Sequence, residues 1–176
     1  MRLETTRLII RSFESRDAQP WLAMVNDPEV TRYLPPSPEA TMETFSASLE
    51  RRRQSERQRG YAVWAIDAKD GGACVGQCGL IPAEGKGPEI EIVWHFNKAA
   101  WNKGYGTEAA IAVLDQAFEE LGLDRVVAFV MPANIGSCRV AEKAGMRFTG
   151  TTTVYGLENI RKYVAERDWW SAPSPG

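Results

Sequence analysis

Apolar residues in this chain come mostly in short runs bounded by turn residues, as β-strands do, while one segment repeats them at helical spacing. Leu8, Ile9, Ile10 and Phe13 mark the first strand-like run, 8–13. Runs at 61–67 and 73–80 follow, with Lys69, Asp70, Gly71 and Gly72 between them as a hairpin turn. A fourth occupies 89–96, and the continuous apolar stretch at 125–131 suits a buried strand. The last two strands, 148–155 and 160–166, are joined by a turn at 156–159. The helical pattern is clearest beyond Thr107, where Ala110, Leu114, Ala117, Phe118 and Leu121 build one face that Gly122 ends. Short helices are expected at 17–25, capped near Ser15 or Asp17, and at 135–144, closed by Gly145. The 42–59 stretch is polar but helix-permissive, and Gly60 stops it. Pro28, Pro35, Pro36 and Pro38 interrupt regular structure, leaving 30–34 as a loop with more apolar and aromatic content than a linker needs.

This order predicts a single α/β domain of the α+β kind. Its sheet is mixed and mostly antiparallel, with a strand–helix–strand crossover at its centre. The domain spans 1–170, with Trp169 and Trp170 plugging the core, and 171–176 form a flexible tail. No internal repeat or linker divides it. A chain of 176 residues carries one full core. The formal net charge of −2 argues against a general nucleic-acid binder. Arg51, Arg52, Arg53, Arg57 and Arg59 read as a solvated helix face. No apolar run approaches the roughly 18 residues that span a bilayer, and the first residues lack an apolar signal core, so a cytoplasmic protein with no membrane partner is expected. Cys74, Cys78 and Cys138 lack disulfide-framework spacing. Cys74 and Cys78, four apart, are expected on one strand face, but no second pair or histidine cluster completes a metal site.

The chemistry concentrates after the fourth strand. Trp101, Asn102, Lys103, Gly104, Tyr105, Gly106, Thr107 and Glu108 form a glycine-bearing turn that opens the amphipathic helix. Glycines there let backbone N–H groups converge, and the helix start adds partial positive charge, the physics of a phosphate or pyrophosphate cradle. Asn134, Ser137, Lys143 and Gly145 supply the second half of the pattern within 134–146.

Together these segments, with the opening Glu4-Thr5-Thr6-Arg7-Leu8-Ile9-Ile10-Arg11, resemble the GNAT superfamily of N-acetyltransferases over residues 3–170. Within it the chain is similar to the branch of ribosomal-protein alanine acetyltransferases (the RimJ/RimL type), in which tryptophan is usual at the position of Trp101. The resemblance implies acetyl-CoA as co-substrate. Asn102, Lys103, Gly104, Tyr105, Gly106 and Thr107 would hold its pyrophosphate beside Trp101. Main-chain groups of Trp94, His95 and Phe96 would pair with the pantetheine arm as with an added strand, and one N–H there would polarise the thioester carbonyl. Many superfamily members carry a tyrosine acid where this chain has Ala141, so the leaving thiolate must be protonated by another group or by water.

Attack on the thioester needs a neutral amine, hence a carboxylate near it. Glu91 is the first candidate. Glu89, on the same face by strand alternation, is the reserve. Asn134 would bond the pantetheine amides and Ser137 the coenzyme A sulfur, unless both are simply the cap and first turn of a helix. His95 reads more readily as a packing or hydrogen-bonding residue than as a base, and an acyl-enzyme on Cys138 lacks an activating histidine. Glu108 complements the helix dipole.

The acceptor site would lie between the early loop and the late hairpin, lined by Tyr33, Leu34 and Tyr155. The implied acceptor is an amine, foremost a protein N-terminus. A small amine, amino acid, polyamine or antibiotic is the alternative, and a non-catalytic acyl-CoA-binding module is the rival from another class. Pairing of two copies into a homodimer is left open.

Overall fold

The computed structural model describes residues 1–173. Eight strands form one sheet in the order β1-β2-β3-β4-β5-β6-β8-β7. The N-terminus supplies the edge: β1 (Arg2–Glu4) turns back on β2 (Leu8–Arg11), so the first strand ends at Arg11 and has a partner before it. Next come β3 (Val63–Ala68) and β4 (Gly72–Pro82), the expected hairpin, and then β5 (Ile90–Phe96), all antiparallel. Helix α4 (Tyr105–Asp115), extended by a wider turn at Gln116–Glu120, carries the chain to β6 (Arg125–Val130). β5 and β6 are parallel, the geometry a helical crossover imposes. Beyond α5 (Ile135–Lys143), β7 (Arg147–Val154) and β8 (Leu157–Glu166) close the other edge, with β8 against β6. The sheet is thus mixed and mostly antiparallel, as the order of elements predicts.

Each face of the sheet is covered by helices. Val113, Leu114 and Ala117 of the crossover pack with Ile92, Phe96 and Tyr163 on one face. On the other, α1 (Ala18–Val25) and α3 (Met42–Arg59) bring Trp21, Met24, Phe45 and Leu49 against Phe13 and Ala65. The plug residue Trp170 packs against Phe118 in a tilted pair with ring centroids 5.3 Å apart, and its Nε1 donates to the Ala144 carbonyl at 2.9 Å. The expected tail lies partly outside the described residues; 171–173 have no regular structure.

Several expectations are corrected here. The 30–34 loop begins as a one-turn helix, α2 (Pro28–Thr31), because Pro28 fits the first helical position and the Asp27 side chain caps Glu29 N–H at 2.8 Å. The last hairpin turns at Tyr155 and Gly156 rather than at 156–159. Their φ values of 55° and 70° suit a two-residue turn, with Val154 opposite Leu157. Cys74 and Cys78 lie on opposite faces, since an irregularity in β4 gives Cys74 a φ of 45° and turns it to the α1–α3 side. The arginine run is not wholly solvated. Phe45, Leu49 and Arg52 share the buried stripe of α3, and the Arg52 guanidinium lies 4.1 Å from the Phe13 ring centroid.

Candidate active site

The site begins where two parallel strands part. The register of β5 and β6 meets only at Glu91 and Val127. Past that point the edge of β5 that faces β6 has no strand beside it. Leu80 N–H bonds to the Ala62 carbonyl just before β3, and Asn97 N–H bonds to the Val75 carbonyl on β4. Antiparallel alternation therefore turns the main-chain groups of Val93 and His95 toward β4 and those of Trp94 and Phe96 into the gap. Of the three residues expected to offer main-chain groups here, His95 is turned away. The Phe96 carbonyl accepts from Trp101 Nε1 at 2.8 Å, which leaves the Trp94 main chain and the Phe96 N–H as the open stretch of edge.

The glycine turn sits at the end of this gap. Asn102 and Gly104 have φ values of 59° and 80°, and a Cβ at Gly104 would lie 3.1 Å from the Arg7 guanidinium. Gly106 packs closely under α5: a Cβ there would meet the Val140 side chain at 3.1 Å. The first bond of α4 runs from Glu108 N–H to the Gly104 carbonyl. The amides of Tyr105, Gly106 and Thr107 therefore precede the helical ladder and point outward from its N-terminus. An extended arm ending in a pyrophosphate fits this arrangement of free strand edge and converging amides.

Glu108 does more here than complement the dipole. Its carboxylate accepts from Thr5 Oγ1 at 2.6 Å, Arg7 N–H at 2.8 Å and Arg7 Nε at 2.7 Å, while Arg7 Nη1 bonds the Lys103 carbonyl at 2.7 Å. Burial alone would raise the Glu108 carboxyl, but these donors outweigh it and hold it below the ordinary range. The N-terminal hairpin thereby clamps the turn. No local signal in the sequence announces this pairing, which joins positions 101 residues apart.

Across the gap, Asn134 caps α5 by accepting Ser137 N–H at 3.1 Å. Ser137 Oγ accepts from Trp94 Nε1 at 3.3 Å, so the serine faces the β5 side of the gap. Cys138 is buried, with its Sγ 4.0 Å from Arg161 Nη1.

The odd-numbered side chains of β5 project to the other face. Glu91 is 5% exposed, and burial pushes its carboxyl up to about 7, against the opposing effect of one hydrogen bond. That bond comes from Tyr155 Oη, which donates to Glu91 Oε2. Glu89 has another partner: both its oxygens accept from Lys162 Nζ, at 2.7 and 2.8 Å. Of these two carboxylates, Glu91 is the one without a cationic partner among the described residues.

His95 belongs to a buried polar chain. Gln77 Oε1 accepts from Trp21 Nε1 and Arg52 Nη2, both at 3.0 Å, so the Gln77 amide donates to His95 Nδ1 at 3.0 Å. The imidazole proton therefore sits on Nε2. Burial, with Arg52 adding to it, pushes His95 down to about 4, a neutral hydrogen-bonding ring at pH 7.

The three residues expected around the acceptor have different immediate neighbours. Tyr155 joins Glu91 and also bonds Glu84. Leu34 lines a separate cavity of about 340 Å³ formed with Val25, Pro28 and the 35–39 segment, which Tyr155 does not line. The Tyr33 ring lies under the Arg32 guanidinium at 5.4 Å. Lys98 and Glu29, 2.6 Å apart, tie α2 to the segment that enters the glycine turn.

Comparison with known proteins agrees with this geometry. The family model described as an acetyltransferase (GNAT) domain matches residues 7–147. The chain is 33% identical over 171 residues to YnaD of Bacillus subtilis, described as an uncharacterised N-acetyltransferase, covering 97% of this chain and 92% of that one. A GNAT-family acetyltransferase structure from Bacillus anthracis superposes with a TM-score of 0.78 at 28% identity, covering 96% of this chain and 99% of that one. A ribosomal L7/L12 alpha-N-protein acetyltransferase solved with coenzyme A shares the fold, with a TM-score of 0.78 at 14% identity and coverage of 96% and 99%. A gap between parallel strands, a glycine turn at a helix start and a matching family model over most of the chain lead to one assignment: the chain belongs to the GNAT acetyltransferases, enzymes that take their acetyl group from acetyl-CoA.

Proposed function

We propose that this chain acetylates the α-amino group of a protein N-terminus, with Glu91 as the base. One observation carries the mechanism: a buried carboxylate without a cationic partner among the described residues, poised near neutrality at the point where β5 leaves β6. The pyrophosphate of acetyl-CoA would be held by the 102–107 amides and its arm by the Trp94 main chain. Glu91 takes the proton from the acceptor ammonium, directly or through water. The freed nitrogen then bonds the acetyl carbon, the carbon–sulfur bond breaks as the nitrogen releases its second proton to solvent, and the coenzyme A thiolate takes up a proton from solvent. Ser137 Oγ, on the gap side of α5, would donate a hydrogen bond to the developing thiolate. Ala141 offers no acid.

The RimJ/RimL-type features around Trp101 support a protein acceptor, as does the shared fold with the ribosomal-protein enzyme. A second reading rests on a specific observation. The hollow beside Glu84 and Thr152 measures about 160 Å³, a volume that holds a small amine. Release of coenzyme A thiol from acetyl-CoA across N-terminal peptides, polyamines, amino acids and aminoglycosides separates the two. Turnover on peptides alone supports the protein acceptor, and turnover confined to small amines replaces it. Binding of acetyl-CoA without turnover on any of them would favour a non-catalytic module.

A further inference from the structure

The Tyr155 turn and the connection between β4 and β5 meet over Glu91 through reciprocal bonds. Tyr155 N–H donates to Glu84 Oε1 at 2.8 Å, and Glu84 N–H donates to Tyr155 Oη at 3.1 Å. The same hydroxyl gives its proton to Glu91 Oε2. Both loop residues are in the left-handed region, Glu84 at φ 53° and Tyr155 at φ 55°. Neither is a residue type that favours it; glycine, asparagine or aspartate usually fill the first position of such a hairpin turn. Two unfavourable conformations that lock each other and end on a buried carboxylate point to a function for the lock.

We propose that Tyr155 is a positioning residue for Glu91 and that Glu84 holds Tyr155 in place, so that two loop tips fix the orientation of the base. This rests on the reading of Glu91 as the base. The tyrosine leaves Glu91 Oε1 for the acceptor ammonium and covers Oε2. Around this corner the charged groups are Glu84, from the β4–β5 connection, and the Lys162–Glu89 ion pair joining β8 to the residue before β5. A small cavity lined by Glu84, Glu89, Phe129 and Thr152 shares Glu84 with the lock.

The test uses Tyr155→Phe, Glu84→Ala and Glu84→Gln in the full chain. Two readouts go together: titration of the Glu91 carboxyl by carbon NMR, and the acid limb of kcat/KM against pH. Burial raises Glu91 and the Tyr155 bond opposes it. Phenylalanine should therefore move both readouts to higher pH by about one unit, a roughly tenfold loss of kcat/KM below the limb, with acetyl-CoA affinity unchanged. Glu84→Ala should move them the same way by less, and Glu84→Gln should restore them, because its amide oxygen still accepts from Tyr155 N–H. An unmoved Glu91 titration in Tyr155→Phe overturns the proposal whatever the turnover. A titration that moves while the kinetic limb stays removes Glu91 as the base, and the catalytic role of Tyr155 falls with it.

Discussion

Glu91 and Glu108 are the same residue type on the two sides of one crossover, one in the strand that opens the gap and one in the first turn of the helix that follows. Glu108 keeps 17% of its side-chain surface and gathers three donors from Thr5 and Arg7, and its carboxyl falls below the ordinary range. Glu91 is deeper, has one neutral donor in Tyr155, and rises to about 7. Burial and donors together separate a clamp from a base: deep burial with one donor raises Glu91, and three donors outweigh the shallower burial of Glu108. A carboxylate surrounded by charge-assisted bonds stays ionised and rigid. One left nearly alone in a dry site exchanges its proton near neutral pH, as acid–base work requires.

The largest effect should come from removing the lone carboxylate. Glu91→Gln is isosteric and still accepts from Tyr155 through its amide oxygen, so it should lower kcat roughly 10²–10⁴-fold and leave acetyl-CoA affinity within about twofold. Steady-state kinetics with calorimetric binding checks this; turnover that survives at neutral pH would place the base elsewhere. Glu108→Ala should act the other way round. Arg7 loses its partner and the 102–107 turn its clamp, so acetyl-CoA should bind about tenfold more weakly, or roughly 1.4 kcal/mol, while kcat at saturation changes little.

The same contrast bears on stability. The folded Glu91 carboxyl titrates near 7 and its unfolded value is 4.5. The folded state therefore holds the extra proton, and stability falls as pH rises from about 4.5 to 7 and stays low above that. Glutamine cannot ionise. Glu91→Gln should be more stable than the parent at pH 8, by up to about 3 kcal/mol for a shift of this size, with the difference vanishing below about pH 4.5. Urea denaturation at the two pH values measures it, and equal stability at pH 8 would mean that Glu91 ionises without penalty.

What the sequence made legible follows from how far each feature reaches along the chain. The crossover and its glycine turn are encoded within about forty consecutive residues, 90–130, by the apolar runs of β5 and β6, by Gly104 and Gly106, and by the helical repeat beyond Thr107, while Glu91 is singled out by the family resemblance. Features that depend on distant partners were hidden. Arg52 reads as surface until Phe13 and Gln77 are folded beneath it. Glu89 looks like a spare base until Lys162 arrives from β8, and Tyr155 looks like a pocket wall until Glu84 and Glu91 meet it. Cys74 changes face through a strand irregularity that no alternation rule foresees.

Ser137 offers the finest test of the comparison, because it asks whether Glu91 works alone. Its N–H serves the Asn134 cap, and that bond survives the loss of the hydroxyl. Its Oγ receives only a 3.3 Å bond from Trp94 Nε1. A neutral hydrogen bond is worth about 0.5–1.5 kcal/mol, so Ser137→Ala should lower kcat by only about two- to tenfold and leave the melting temperature unchanged. Solvent should then protonate the thiolate, and the pH profile should keep a single acid limb set by Glu91. A loss as deep as that of Glu91→Gln would instead give the serine a proton to deliver, and the gap would hold two proton-transfer groups, one on each side.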